Sequence, residues 1–289
     1  ISRGLVGSEM CIRDSLSTVG YFIPLGSGGQ GKKSATSAKQ LKKMKIKNFT
    51  TEEEVLSSKI IESEPVKGIR LLTLKRGTGV VTMRGSMLGG DIYSTENKRT
   101  ADMVAAMLDQ GTTNMSKFEI SKKLESVGAR LSFFNGQARV GFSGKFLSED
   151  TNMVINLLAD QLKNPLFAEE ELEKSKKRQI AGYKRSKEST RGNAMNNMLQ
   201  AFYGSNHQNS PTNPDEAIEQ IKGLTSEDLK NYHKEKYGLG SMVLVVVGDV
   251  DHVMMENLLK ESFGDWKQSS LKNKEEKNVG SKISNKVYV

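Results

Sequence analysis

The sequence predicts an α+β fold, a two-layer domain with helices packed on one face of a mainly antiparallel sheet. Two observations predict it. Apolar spacing switches along the chain between a period of two, as in Ala129–Phe146, and a helical period, as around Ala101, Val154 and Met255. The strand-like segments are grouped, with pairs of helices between them, rather than alternating one for one with helices. An apolar fraction of 36% over 289 residues is enough for one core, because the first 66 residues and residues 269–289 carry no sustained periodicity.

The elements follow in order. Residues 1–66 show only a short helix near Glu52–Ser57, so the domain is expected to span 67–268. Ile69, Leu71 and Thr73 alternate, Arg76–Gly79 reads as a turn, and Val80–Met87 reads as a strand. Ala101, Val104, Ala105 and Leu108 form one apolar helix face, followed by the tight turn Gly111-Thr112. Ser116 and Glu119 make a capping box for a second helix lined by Ile120, Leu124 and Val127, with Gly128 placed as its C′ glycine.

Asn135-Gly136 is a two-residue hairpin signal between the alternating sets Ala129, Leu131, Phe133 and Ala138, Val140, Phe142, Phe146. Val154, Leu157, Leu158 and Leu162 line a helix ended by Asn164-Pro165. The next helix, about Ala168–Lys187, is strongly charged, with only Leu172, Ile180 and Tyr183 apolar at intervals, and is expected on the surface. A further helix covers Arg191–Phe202, and Asn206–Pro214 is a polar loop. Thr225 caps a helix with Asp228 three residues on. Met242–Val247 is a continuous apolar run expected as a central strand. Asp251 caps a last helix packed through Met255, Leu258, Leu259 and Phe263.

Taken together and in this order, the segments resemble the pitrilysin/insulinase zinc peptidases, the inverzincins. The resemblance rests on Val80–Gly90, the helical hairpin with Gly111-Thr112, and the strands of Ala129–Phe146. It also rests on Asn164-Pro165-Leu166-Phe167 before Glu169–Leu172, on Leu224–Leu229 followed by Tyr237, on Val243–Asp251, and on Phe263–Trp266. The family's signature is H-x-x-E-H on a helix just before the Gly-Thr turn, with two zinc-binding histidines and a glutamate that polarises the attacking water. Here that motif falls on Asp102, Met103, Val104, Ala105 and Ala106, so Asp102, Ala105 and Ala106 stand where His, Glu and His would be. The family's third ligand, a glutamate on the long helix after Asn164-Pro165, falls at Ala181 or Gly182. The resemblance therefore implies a non-catalytic repeat with no catalytic, metal-binding or cofactor-binding residue, zinc being expected on a separate catalytic half.

The same resemblance gives the domain organisation. Thr18–Pro24 is similar to the string that closes the catalytic half in long single-chain bacterial members. Residues 1–15, with the lone Cys11, read as an adapter-derived segment. Residues 16–66 read as the tail of a preceding half and a lysine-rich linker. Residues 269–289 read as a linker and the first strand, Ile283–Val289, of a next domain. A bacterial cell-envelope location fits those long members.

A formal charge of +9 raises nucleic-acid binding as a function, but Gly31–Thr50 alone carries seven lysines and no acid, with one aromatic, as a solvated linker would. One cysteine excludes an internal disulfide framework. No apolar run approaches the roughly 20 residues of a membrane-spanning helix. His207, His233 and His252 lie far apart and read as a loop residue and two helix-surface residues. Asp102 and Asp109 read as solvated helix charges. Ser86 and Ser143 lie outside any G-x-S-x-G elbow, and the glycines of Gly85–Gly90 read as a strand end, lacking the P-loop lysine. Met103, Met107, Met153, Met195 and Met198 read as core. The expected function is to enclose and help bind unfolded peptide while a zinc-bearing half, or a catalytic homologous subunit, hydrolyses it. The alternative is a stand-alone inactive scaffold subunit that pairs with a catalytic one.

Overall fold

The computed structural model describes residues 56–204, 207 and 209–272, all within the compact unit Glu54–Val289. The readings of Cys11, Thr18–Pro24, the lysine-rich run and Ile283–Val289 lie outside the described residues. Six strands make one sheet: β1 Ile61–Val66, β2 Ile69–Lys75, β3 Val80–Leu88, β4 Arg130–Asn135, β5 Arg139–Leu147 and β6 Met242–Gly248. Their order is β1-β2-β6-β3-β5-β4, antiparallel throughout except for the β2–β6 pair. Eight helices are described: α1 Thr100–Met107, α2 Lys117–Ser126, α3 Thr151–Lys163, α4 Glu169–Ser186, α5 Thr190–Tyr203, α6 Pro214–Lys222, α7 Ser226–Lys236 and α8 His252–Phe263.

Alternation decides which sheet face is dry. Ile69, Leu71 and Thr73 of β2, Val81 and Met83 of β3, Val140, Phe142 and Phe146 of β5, and Met242, Leu244 and Val246 of β6 are all buried. Their neighbours Arg70, Thr82, Arg84, Lys145 and Val245 are exposed on the opposite face. A fully buried side chain of this size contributes about 1.5–3 kcal/mol. The expected central strand Met242–Val247 is therefore β6, and its inward residues pack under helices bearing Val104, Leu158, Leu229 and Leu259.

The expected capping box of α2, at Ser116 and Glu119, is closed, and the expected cap of α7, Thr225, forms a capping box with Asp228. Asp251 accepts from the Met254 N–H at the start of α8. Gly128 adopts φ +62° after α2, as a C′ glycine should.

Three local expectations are corrected. The domain begins before residue 67, because Ile61–Val66 is a strand, paired with β2. Its sequence IESEPV hides it: a charged edge strand with a proline carries no alternating apolar signal, and Glu62 instead holds Arg70 across the ladder. The turn of the β4–β5 hairpin is centred on Gln137 and Ala138 rather than on Asn135-Gly136. Gly136 N–H donates to Arg139 O at 3.0 Å, and Asn135 still pairs with Val140. Tertiary bonds prevail over the local signal there, since the carbonyls of Gly136, Gln137 and Ala138 accept from Asp91, Ile92, and Gly89 and Gly90 respectively. Finally, α4 is not simply a surface helix: Leu172, Ser175 and Lys176 are buried, and Ile180 and Tyr183 pack against the core.

Gly248, at the end of β6, has φ +144°, and a Cβ there would sit 2.1 Å from the Val80 carbonyl oxygen. Gly248→Ala is expected to lower stability by about 2–4 kcal/mol in urea unfolding. Gly77→Ala, which meets nothing within 4 Å, is expected to change it by less than about 0.5 kcal/mol.

Candidate functional site: the alanine-filled helical hairpin

The hairpin that should carry chemistry is firmly built. Asn97 accepts from the Arg99 N–H at 2.9 Å and donates its amide to the Gln220 carbonyl of α6 at 2.7 Å, while Ser94 accepts from the Ala101 N–H at 3.2 Å. These contacts satisfy N–H groups that the start of α1 leaves open. At the far end Gly111 takes φ +123°, and the buried Thr112 hydroxyl donates to Asp160 of α3 at 2.6 Å. The Gly111 carbonyl accepts from Leu166 N–H at 3.1 Å and the Asn164 carbonyl from Thr113 N–H at 2.9 Å. Gly-Thr and Asn-Pro, far apart in sequence, are thus two halves of one turn-to-turn contact.

Between these anchors α1 presents Ala101, Met103, Val104 and Ala105 as buried residues, with Asp102 and Ala106 half-buried. Asp102 is therefore not the solvated charge expected of it, whereas Asp109 is exposed. Burial raises the Asp102 carboxyl above its ordinary pKa, and Arg99 partly opposes the shift. Asp91 is raised by burial too, against a hydrogen bond from Asn135 and the charge of Arg99.

The partners that α4 offers α1 are Tyr183 and Gln179. The Arg99 guanidinium donates to the Tyr183 hydroxyl at 3.0 Å, and the Gln179 amide lies 3.8 Å from the Met103 sulfur. Ala181 and Gly182 are half-buried, and a Cβ on Gly182 would meet nothing within 4 Å. One aspartate, two alanines, a phenol and an amide do not make a zinc site, which needs at least three nitrogen, sulfur or carboxylate ligands converging on one point. Among the described residues no three His, Cys, Asp or Glu side chains form such a group.

The other candidates resolve individually. His233 is not a helix-surface residue. Its Nε2 lies 2.8 Å from the Leu162 carbonyl, and its ring contacts those of Phe167 and Tyr237, with centroids 5.7 and 4.8 Å away. Burial pushes its pKa down to about 4, against the opposing effect of the Leu162 carbonyl. His252 is also largely covered, with Nδ1 at 2.7 Å from the Thr73 hydroxyl and Nε2 at 3.6 Å from Glu256. His207 stacks on Tyr203 with centroids 4.7 Å apart.

Ser86 accepts from Arg139 Nε at 2.9 Å, and Ser143 bonds Ser132 at 2.9 Å, so neither faces a base. Gly89 and Gly90 end β3 as expected, but Gly85 lies inside it, its missing side chain making room for the Phe142 ring. Met103 and Met107 are core as expected, whereas Met195 and Met198 are exposed on α5.

A six-stranded sheet with helices on one face, carrying a hairpin with Asp102, Ala105 and Ala106 where the resemblance sets His, Glu and His, gives the class: an α+β domain of peptidase type. The chain belongs to the insulinase family of peptidases. The model of "Insulinase (Peptidase family M16)" matches residues 85–215, and that of "Peptidase M16 inactive domain" matches residues 223–289. Among similar proteins, an uncharacterized zinc protease of Rickettsia felis is 23% identical over 188 residues, 64% of this chain and 45% of that protein. The beta subunit of the human mitochondrial-processing peptidase is 25% identical over 207 residues, 68% of this chain and 40% of that protein. The chain thus spans less than half the length of these relatives. A crystal structure of a peptidase M16 inactive domain from Pseudomonas fluorescens shares the fold, with a TM-score of 0.68 at 19% identity, over 75% of this chain and 54% of that one.

Two expected outcomes follow from the buried contacts. Tyr183→Phe leaves the Arg99 guanidinium without its hydroxyl partner and should cost about 1–2 kcal/mol in urea unfolding. His233 stays neutral in the folded chain down to about pH 4, whereas an unfolded chain takes up that proton below about pH 6.5. The unfolded state then binds more protons, so stability is complete above about pH 6.5 and falls by up to about 1.4 kcal/mol per unit as pH drops toward 4. The stability difference between wild type and His233→Phe, measured from pH 4 to 7, should shrink toward low pH by that slope.

Proposed function

We propose that this domain is the inert wall of a larger zinc peptidase. It encloses and helps bind unfolded peptide, while hydrolysis occurs on a separate zinc-bearing half. The observation that carries this reading is the hairpin. All of its structural anchors are in place, from Asn97 through Thr112 to Asp160, yet the positions of the base and second histidine are alanine. A scaffold kept and a chemistry lost is what a wall requires. A closed chamber works by excluding water and holding the chain, and neither task needs a metal on the wall itself. The zinc, the peptide and the catalytic half belong to the parent protein on this reading. A bacterial cell-envelope location would suit it, as would connecting segments before β1 and after residue 268.

A second reading is supported by the similarity to one subunit of a multi-subunit processing peptidase: a separate inactive subunit that pairs with a catalytic one. The two differ in whether the catalytic half is covalently attached, which the full reading frame decides. Both predict the same behaviour for the chain alone. Metal analysis should find no stoichiometric zinc, and a fluorogenic peptide assay should find no chelator-sensitive cleavage. A bound equivalent of zinc together with such cleavage would refute both.

A further inference from the structure

The end of α4 and the whole of α5 carry exposed side chains that the core does not explain. Between Lys174 and Arg191 the chain carries eight basic residues and a single acid, Glu188. Lys174 pairs with Glu170 and Glu171, Lys176 with Glu173 and Lys187 with Asp215, and Arg178 donates to the Ser175 hydroxyl. Lys177, Lys184, Arg185 and Arg191 are exposed, and among the described residues no carboxylate pairs with them. Lys177, Lys184 and Arg185 stand at i, i+7 and i+8, on the face of α4 opposite Leu172 and Tyr183. The acids of the neighbouring α6 are already engaged: Asp215 by Lys187, Glu216 by Gln220 and Glu219 by Lys222.

α5 buries none of its fourteen residues. Its amide stripe, Asn193, Asn196, Asn197 and Gln200, turns toward the protein. It lines a groove of about 320 Å³ with Lys187 and Thr212–Asp215, and Gln200 donates to the Pro211 carbonyl at 3.1 Å. On the opposite stripe Arg191, Met195, Met198 and Phe202 stand at i, i+4, i+7 and i+11, the three apolar residues being 48%, 56% and 54% exposed. An ordered row of large apolar side chains headed by unpaired cations is an adaptable contact surface rather than scattered exposure.

We propose that this ridge, Lys184, Arg185 and Arg191 continuing into Met195, Met198 and Phe202, docks acidic polypeptide segments that also carry apolar side chains. The occupant is fixed by charge complementarity. Its three free cations attract carboxylates and repel a basic chain, while the thioethers and the phenyl ring take up the apolar side chains between them. The inference rests on the peptide-enclosing reading and narrows it to an acidic substrate class. A lipid surface is the less suitable occupant, because the apolar stripe is only three side chains long, with its own cations at one end.

The test uses the 289-residue chain and three fluorescein-labelled peptides of equal length and equal Leu and Phe content, bearing Glu, Lys or Gln at the same positions. Anisotropy titration should show the Glu peptide binding about tenfold or more tighter than the Lys peptide, and weakening about threefold or more between 50 and 200 mM salt. Lys184→Glu/Arg185→Glu/Arg191→Glu should lose about tenfold of that affinity. The milder Lys184→Gln/Arg185→Gln should lose less, and Met195→Ser/Met198→Ser/Phe202→Ser about fivefold, each with an unchanged melting temperature. Equal binding of all three peptides would overturn the acidic preference while leaving enclosure standing. Binding of none would overturn both. Glu-peptide affinity untouched by the charge reversals would remove the ridge as the site. Capture by anionic vesicles that these substitutions abolish, without Glu-peptide binding, would replace the peptide by a membrane.

Discussion

One face of one sheet has to be kept dry, and nearly everything else in the molecule follows from that. β6 lies between β2 and β3 with Met242, Leu244 and Val246 almost wholly out of water, and the residues between them turned to the opposite face. A single-residue slip in register would exchange the two sets. The helices are placed by what they must cover. α1 packs beside β4 and α7, and α8 beside β1 and α3. A helix lying close to both sheet and neighbours needs small residues at its contact face, and Ala101 and Ala105 supply them. Ala105, which the resemblance sets at the position of the family's base, is thus a packing residue.

A metal site contributes to folding as well as to reaction, because ligands drawn from separate elements are tied together by the ion. Here other contacts tie the same elements. Arg99 of the α1 start reaches Tyr183 of α4, Gln179 reaches Met103, and Thr112 binds Asp160 on α3. The exchange is incomplete. Asp102 keeps a carboxylate in a half-buried place, raised by desolvation and offset only partly by Arg99, and the buried Arg99 Nε and Gln179 Oε1 find no partner among the described residues. Such residual polar frustration is tolerable because the anchors at both ends of the hairpin are fully made.

How much of this was legible in the sequence depended on how local the cause was. The capping box at Ser116, the cap at Thr225, the C′ glycine at 128, the alternating runs of β2 and β5 and the continuous apolar run of β6 are set by neighbours in sequence, and all were readable. The buried face of α1 was readable too, because Ala101, Val104, Ala105 and Leu108 recur at the helical period. What could not be read was set from a distance. Asn135-Gly136 loses the turn because Gly89–Ile92 claims the loop carbonyls. Ile61–Val66 becomes a strand only because β2 offers it an edge. His233 looks like one more polar residue on a charged helix until Leu162, Phe167 and Tyr237 close around it. Tyr183 and Gln179, rather than Ala181 and Gly182 between them, are the side chains by which α4 reaches α1. Only the helix rotation reveals that.

The same rotation separates two tasks on α4. The side that carries Leu172, Gln179 and Tyr183 is committed to the core and to α1. The side that carries Lys177, Lys184 and Arg185 is committed to nothing in the described fold. In a catalytic domain a helix that supplies a metal ligand has its angle and surroundings constrained by coordination geometry, and nearby cations would oppose the metal's charge. On α4 the positions that the resemblance assigns to that ligand are Ala181 and Gly182, neither of which can ligate, so that opposition has no source there. The run of lysine and arginine on this helix is opposed by its own repulsion, which Glu170, Glu171, Glu173 and Asp215 relieve in part.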